Sequence, residues 1–297
     1  MPNDDVYEPI RPPRFERRRL RGLEHHLSIW GSDDAPLIVY LHGWGDAGST
    51  FQFVVDALAG DYRIVAPDFR GFGRSVHRPP AYWFPDYLAD VDALLQLLSP
   101  DSPVVLIGHS MGGNVAGLYA GSMPERVSAF LNLEGFGLPD SDPQEAPARY
   151  RRWLEAIRAA PSFARYADEE PLVRRILEKS PRMQKHRARF VARQWTQRDD
   201  DGRLTLRADP AHKLPNPVLY RRREAEACWR AITARVLLVC GADTAFGDAA
   251  ATWRAADPSE RPFPGAALEV LDDAGHMLHF EAPEALAGVI DRFLGRF

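Results

Sequence analysis

The sequence predicts an α/β protein: a mostly parallel central sheet flanked by helices, with a helical block inserted between two of its strands. Three observations predict it. Short apolar runs of strand length recur along the chain and are separated by stretches of helical periodicity, which is how parallel strands joined by crossover helices read. Several of these runs end in glycine-rich turns, as they must where the chain reverses into a helix. Residues 137–230 then break the alternation, because they contain no buried strand run at all.

Taken in order, residues 1–14 are polar and proline-rich and read as an arm on the surface. A loose alternation over 15–30 (Leu20, Leu23, Leu27, Ile29) suits two antiparallel edge strands joined near Arg21-Gly22. The run 36–41 is a buried strand ending in His42-Gly43-Trp44-Gly45-Asp46-Ala47-Gly48, and a helix is expected over 49–58. A strand at 62–66 leads into Asp68-Phe-Arg-Gly-Phe-Gly-Arg-Ser75, and 86–98 carries helical periodicity through Tyr87, Val91, Leu94, Leu95 and Leu98. The stretch Pro103-Val-Val-Leu-Ile-Gly-His-Ser-Met-Gly-Gly113 is a strand that turns abruptly into a helix. Strands follow at 127–133, 235–241 and 268–271, and 283–294 closes the chain as an amphipathic helix.

The helical block itself reads as helices over 150–159, 172–179 and 186–195 between proline and acidic breaks. It holds 21 Arg and Lys against 14 Asp and Glu, a surplus of seven positive charges in a chain whose net charge is -4. The division expected is therefore a core of residues 1–136 and 231–297 and a helical lid of residues 137–230.

Bulk properties exclude several classes. With 45% apolar and 26% charged residues over 297 positions, the chain can bury a sizeable core. Its negative balance argues against a general nucleic-acid binder. No apolar stretch follows the arginines at 17–19 and no window reaches membrane-spanning length, so neither a leader nor a span is expected. Cys228 and Cys240 read as reduced packing residues of a cytoplasmic protein rather than a disulfide framework.

Chemistry enters at Gly108-His109-Ser110-Met111-Gly112. Read alone, Gly-x-Ser-x-Gly also fits a serine that caps a helix. After an apolar strand, and before the small residues Gly112, Gly113, Ala116 and Gly117, it fits a turn that holds a hydroxyl out of the sheet at a helix N-terminus. Side chains at 108 or 112 would collide with neighbouring backbone there. A serine hydroxyl is a weak nucleophile at neutral pH and needs a base, which in turn needs an orienting acid. His276, after the last strand and beside Gly275, is the best-placed base, while His279 is expected to pack against the lid or helix. His42 and His109 are expected to hold loops by hydrogen bonds, and His25, His26, His77, His186 and His212 to be solvated or structural. Two carboxylates compete for the acid's place: Glu134 at the end of the strand after the serine, and Asp243 at the end of the next one. A glutamate closing an apolar strand needs a partner, which favours Glu134.

Four stretches together resemble the α/β-hydrolase fold superfamily, in particular serine hydrolases with a helical cap. They are His42-Gly43-Trp44-Gly45, Asp68 to Ser75, Gly108 to Gly113, and Gly275-His-Met-Leu-His-Phe-Glu281-Ala-Pro283. They fall in the family's order and cover about residues 36–136 and 231–297. In this family the acid usually follows the strand after the cap as Gly-x-x-Asp, but the third position after Gly241 is Thr244 and Asp243 stands one residue early. One branch, including many haloalkane dehalogenases, carries a glutamate where Glu134 stands, though dehalogenases and epoxide hydrolases use an aspartate nucleophile where this chain has Ser110.

The resemblance implies ester-type hydrolysis: a carboxylic ester or thioester of a small to medium acyl substrate, cleaved through an acyl-enzyme. Ser110 would be nucleophile, His276 base and Glu134 acid, with Asp243 the alternative acid. Backbone N–H groups of Trp44 and Met111 would hold the oxyanion. The same triad acting on a carbon–carbon or amide bond, or a non-catalytic binding protein on this fold, are the competing readings. No His, Cys and carboxylate cluster has ligand spacing and the glycines at 43, 45 and 48 lack a dinucleotide fingerprint, so neither metal nor cofactor is expected. In the lid, Trp153, Phe163, Tyr166 and Trp195 read as packing more than pocket. Its arginines (Arg151, Arg152, Arg174, Arg175, Arg187, Arg189, Arg221 to Arg223) read as a solvated surface more than an anion site.

Overall fold

The computed structural model describes residues 6–75, 79, 81–244 and 253–295, so His77 lies outside the described residues. An eight-stranded sheet runs through the molecule. Its strands are β1 Arg14–Leu20, β2 Leu23–Trp30, β3 Leu37–Leu41, β4 Arg63–Pro67, β5 Val104–His109, β6 Val127–Leu133, β9 Arg235–Gly241 and β10 Ala267–Leu271. The order is β1-β2-β4-β3-β5-β6-β9-β10, parallel from β4 to β10, with β1 and β2 antiparallel. The expected pair of edge strands is thus corrected to one: β2 lies between β1 and β4, and its last six residues are buried.

Alternation along β3 shows why these runs are apolar throughout. Ile38 and Tyr40 face one layer, with Val54 and Val55 of helix α1 (Gln52–Ala57) and Leu286, Val289 and Ile290 of the C-terminal helix Pro283–Leu294. Val39 and Leu41 face the other layer, with Val91 and Leu94 of α2 (Pro85–Leu98) and Val115 and Tyr119 of α3 (Met111–Ser122). Both faces are covered, so every sheet-facing position pays off as buried apolar surface.

Between β6 and β9 the chain leaves the sheet for α4 (Ala146–Ala159), α5 (Glu170–Lys179), α6 (Lys185–Trp195) and α7 (Arg222–Arg230). It also forms a small antiparallel pair, β7 (Thr196–Arg198) and β8 (Leu204–Leu206), which corrects the expectation of helices alone. Leu172, Val173 and Ile176 of α5 and Phe190 and Val191 of α6 share a cluster with Phe53 and Phe280 of the sheet layers, which seats this segment on the rest of the chain. Helix α7 packs directly on α3, with Trp229 buried and a Cβ at Gly121 placed only 1.9 Å from Cys228 O.

The Asp68–Ser75 stretch is explained by buried polar ties. Asp68 accepts from Gly48 N (2.8 Å) and Arg74 N (2.7 Å), and pairs with His26 at 3.3 Å. Arg70 grips Asp90 of α2 with two bonds of 2.6 Å, and His25 Nε2 lies 3.3 Å from the same carboxylate. Burial pushes the Asp90 carboxyl up, but the bonds from His25 and Arg70 outweigh it and hold the group below the usual range. His25 and His26 are therefore structural, and buried rather than solvated. Removing Arg70 takes the two shortest bonds from a buried carboxylate and leaves it only the longer contacts of His25 and Arg21, so Arg70→Ala should cost about 3 kcal/mol of stability in urea unfolding. A loss below about 1 kcal/mol would show the pair to be dispensable.

His212, in the segment after β8, is stacked between Phe72 (3.8 Å) and Tyr82 (3.7 Å). Burial pushes its pKa down to about 4 from 6.5. Between those two values the unfolded chain binds more protons than the folded one, so stability falls as the pH is lowered through that window. The loss amounts to about 3 kcal/mol, absent above pH 6.5 and complete below pH 4. Urea midpoints at pH 7 and pH 4.5 should differ less in His212→Phe than in the native chain; an unchanged difference would rule His212 out as its source.

Candidate active site

Parallel strands β3, β5, β6, β9 and β10 deliver their following loops to one edge of the sheet, and five predicted residues sit on those loops: Trp44, Ser110, Glu134, Asp243 and His276. Ser110 lies between β5 and α3 with φ 51° and ψ -113°, a conformation that costs about 1–3 kcal/mol. The turn is as tight as the sequence implied: a Cβ at Gly108 would sit 2.4 Å from Gly112 O, and one at Gly112 2.1 Å from Leu41 O. Its backbone is fixed by Ser110 N–H to Leu133 O (2.7 Å) and by Asn114 N–H donating to Ser110 O (3.0 Å).

Glu134 extends β6 with a left-handed φ of 60° and is 2% exposed. Its Oε1 accepts from Gly241 N (2.8 Å) and Thr244 Oγ1 (3.1 Å), and its Oε2 lies 3.2 Å from His276 Nδ1. Asp243 is placed otherwise. Its carboxylate, 52% exposed, pairs with Arg182 of the inserted segment, and among the described residues it makes no bond to His276. The sequence favoured Glu134 and kept Asp243 as the alternative, and in the structure it is Glu134 that lies against the imidazole while Asp243 pairs with Arg182.

The His276 loop is tied to the elbow from below. His109, buried, donates Nε2–H to the His276 carbonyl at 2.8 Å, and the two rings are 4.9 Å apart. Burial, then the neighbouring His279 and His276, keeps the His109 pKa well below the ordinary value, so it works as a neutral donor. Gly275 N–H donates to Glu281 Oε2 at 2.5 Å, which holds the other side of the loop. The His276 ring itself is 45% exposed. Among the described residues Ser110 Oγ makes no hydrogen bond, to His276 or to any other group, a looseness common before substrate aligns such a pair.

His42 sets the remaining loop. Phe69 N–H donates to His42 Nε2 (2.9 Å), so the ring proton sits on Nδ1 and is donated to Gly43 O (2.7 Å). Burial lowers its pKa, in keeping with a neutral ring. Because the peptide is planar and trans, turning the Gly43 carbonyl toward the imidazole turns the Trp44 N–H away from it. Gly43 is pressed against the elbow: a Cβ there would meet His109 Nδ1 at 2.8 Å and Ser110 Cβ at 3.5 Å. Met111, first residue of α3, has an N–H with no partner inside the helix.

Two features were not read from the sequence. Asp46, buried, accepts from Thr50 Oγ1 (2.7 Å) and Trp195 Nε1 (2.8 Å), and its other oxygen lies 3.2 Å from His279 Nε2. Burial pushes its carboxyl up, but His279 outweighs this and holds it below the usual range. His279 is thus the buried partner of Asp46, and it also lies 4.1 Å from the Phe280 ring. Asp46, His109 and His279 bring ligand-capable atoms within 4.8 Å of one another, a cluster that spacing along the chain concealed; His109 Nδ1 and His279 Nδ1 have no partner among the described residues.

A cavity of about 520 Å³ opens beside His276. Trp44, Phe72, Met277 and Phe280 line it from the sheet side and Phe163, Tyr166, Ile176 and Trp195 from the inserted segment, so three of the four aromatics expected as packing are cavity walls. The size and apolar lining suit a small-molecule ligand. The two cysteines are free; Cys240 is buried and its pKa is pushed up to about 11, which leaves it an inert thiol. No helix among the described residues is long and apolar enough to cross a membrane.

A parallel sheet with a strained serine at its elbow defines a class, and a family model described as alpha/beta hydrolase fold matches residues 36–283. The chain belongs to that family. Among its relatives, a serine hydrolase-like protein of Danio rerio is 28% identical over 277 residues, covering 90% of this chain and 83% of that one. Among solved structures, a thioesterase domain from the curacin biosynthetic pathway superposes with a TM-score of 0.81 at 25% identity, covering 94% of this chain and 98% of that one. A hypothetical protein of Pseudomonas aeruginosa PAO1 does so with a TM-score of 0.82 at 27% identity, covering 95% and 99%.

Proposed function

We propose that this chain is a serine hydrolase that cleaves a carboxylic ester or thioester of a small to medium acyl substrate through an acyl-enzyme. Ser110 Oγ attacks the carbonyl carbon while the His276 imidazole takes the hydroxyl proton; the leaving alcohol or thiol departs with that proton. Water, deprotonated by the same ring, then releases the acid and restores the serine. Glu134 holds His276 Nδ1–H and stabilises the imidazolium, and the N–H groups of Trp44 and Met111 bind the oxyanion. The segment 137–230 acts as a lid whose aromatic wall receives the acyl group.

The observation that carries this reading is the buried carboxylate of Glu134 3.2 Å from Nδ1 of His276, whose carbonyl is held by His109, the residue beside Ser110. One structural neighbour is a thioesterase domain, which is why thioesters belong beside esters in the test. Purified protein should hydrolyse short p-nitrophenyl esters or acyl thioesters and should be labelled by a fluorophosphonate at Ser110. Absence of both labelling and turnover would leave the fold as a binding scaffold.

A further inference from the structure

The charges that line the cavity are one-sided. Asp46 is its sole carboxylate among the described residues, already engaged by His279, Thr50 and Trp195, whereas Arg175, Lys179, Arg207 and Lys213 all reach the lining. Arg207 and Lys213 are held by local bonds, Arg207 Nε to Thr196 O (2.8 Å) and Lys213 Nζ to Ser162 O (2.5 Å). Arg175 and Lys179 are different: among the described residues neither forms an ion pair or a hydrogen bond. They stand one turn apart on the same face of α5, an arrangement in which like charges repel.

Cations at the opposite end of α5 are compensated, and Arg174, also unpaired among the described residues, does not line the cavity. Lys185 and Arg189 of α6 are paired with Glu170, and Arg193 with Glu169, all at the opposite end of α5. Lys179 also lines a second recess, of about 420 Å³, that shares His276 with the first; its two carboxylates are engaged elsewhere, Asp243 by Arg182 and Glu281 by the Gly275 N–H. A pair of uncompensated cations therefore flanks an apolar cavity on the way to the imidazole, where field lines concentrate and an anion gains most.

We infer that the substrate is an anionic acyl compound, carrying a carboxylate or phosphate that Arg175 and Lys179 bind while its apolar part fills the cavity. This rests on the hydrolase reading and names the substrate class for that site. Lys179 near the helix C-terminus also meets the negative end of the α5 dipole, but that effect acts on stability and not on the choice between two substrates.

The test compares matched pairs: p-nitrophenyl esters of neutral acyl chains against chains of equal length ending in a carboxylate, from succinyl to suberyl, and pantetheine against phosphopantetheine thioesters. The anionic member of one pair should have the higher kcat/KM by roughly tenfold or more, and the acyl and leaving-group arms tell which end carries the charge. Arg175→Gln/Lys179→Gln, which keeps side-chain bulk on exposed helical positions, should bring that ratio to about one, as should 0.5 M salt in the native chain. A ratio near one in both arms of the native protein, or a ratio untouched by the double substitution, overturns the inference. If no ester or thioester is turned over, the hydrolase reading fails separately. Calorimetry of monomethyl adipate on Ser110→Ala, with and without the two glutamines, then decides: binding that needs the two cations sustains the inference, and equal or absent binding ends it.

Discussion

Ser110→Ala should lower kcat for ester or thioester hydrolysis by about ten-thousandfold or more while moving KM little. The magnitude follows from what the hydroxyl supplies: without it no acyl-enzyme forms, and only the oxyanion N–H groups and substrate binding remain. Alanine keeps the Cβ and leaves the backbone bonds Ser110 N to Leu133 O and Asn114 N to Ser110 O intact, so the thermal midpoint should hold and the loss cannot be charged to unfolding. Initial rates and a melting curve on the same preparation make the comparison. Activity within about tenfold of native would mean that another group performs the attack, and the assignment would fall.

Glu134→Gln should be nearly as severe, about ten-thousandfold in kcat, whereas Asp243→Asn should stay within about threefold. Glu134 accepts three bonds with two oxygens, from Gly241 N–H, Thr244 Oγ1 and His276 Nδ1. A glutamine has only one acceptor oxygen. Its NH₂ must face either the Gly241 N–H, which opens the loop, or His276 Nδ1, which favours the tautomer with its proton on Nε2, unable to accept from serine. Asp243, half exposed, spends its charge on Arg182 at the surface, where one ion pair contributes little. If the two variants exchanged behaviour, Asp243 would be the orienting acid and the observed loop geometry would not be the working one.

Most of the fold was legible because its strands are buried on both faces, so apolar runs such as 36–41 and 127–133 stand out at any register. The elements that escaped lack such a signal. Strands β7 and β8 are three residues each, with only Thr196 buried, and α7 buries only Ala225 and Trp229. Histidines 25 and 26 looked partnerless because Asp90 and Asp68 come from distant parts of the chain. Asp46 and His279 are 233 residues apart, beyond any pattern read in a window. The aromatics Phe163, Tyr166 and Trp195 could not be sorted into packing and cavity wall, because both uses demand the same apolar surface.

By itself the chain's order of residues determined the sheet, the elbow and the candidates for each role, since short-range sterics and hydrophobic periodicity act over a few neighbouring positions. Tertiary structure alone decided which carboxylate faces the imidazole. That choice depends on a left-handed turn at Glu134 and on a loop that returns to it 142 residues later, and hydrogen bonding is too short-ranged and directional to be read from distance along a chain.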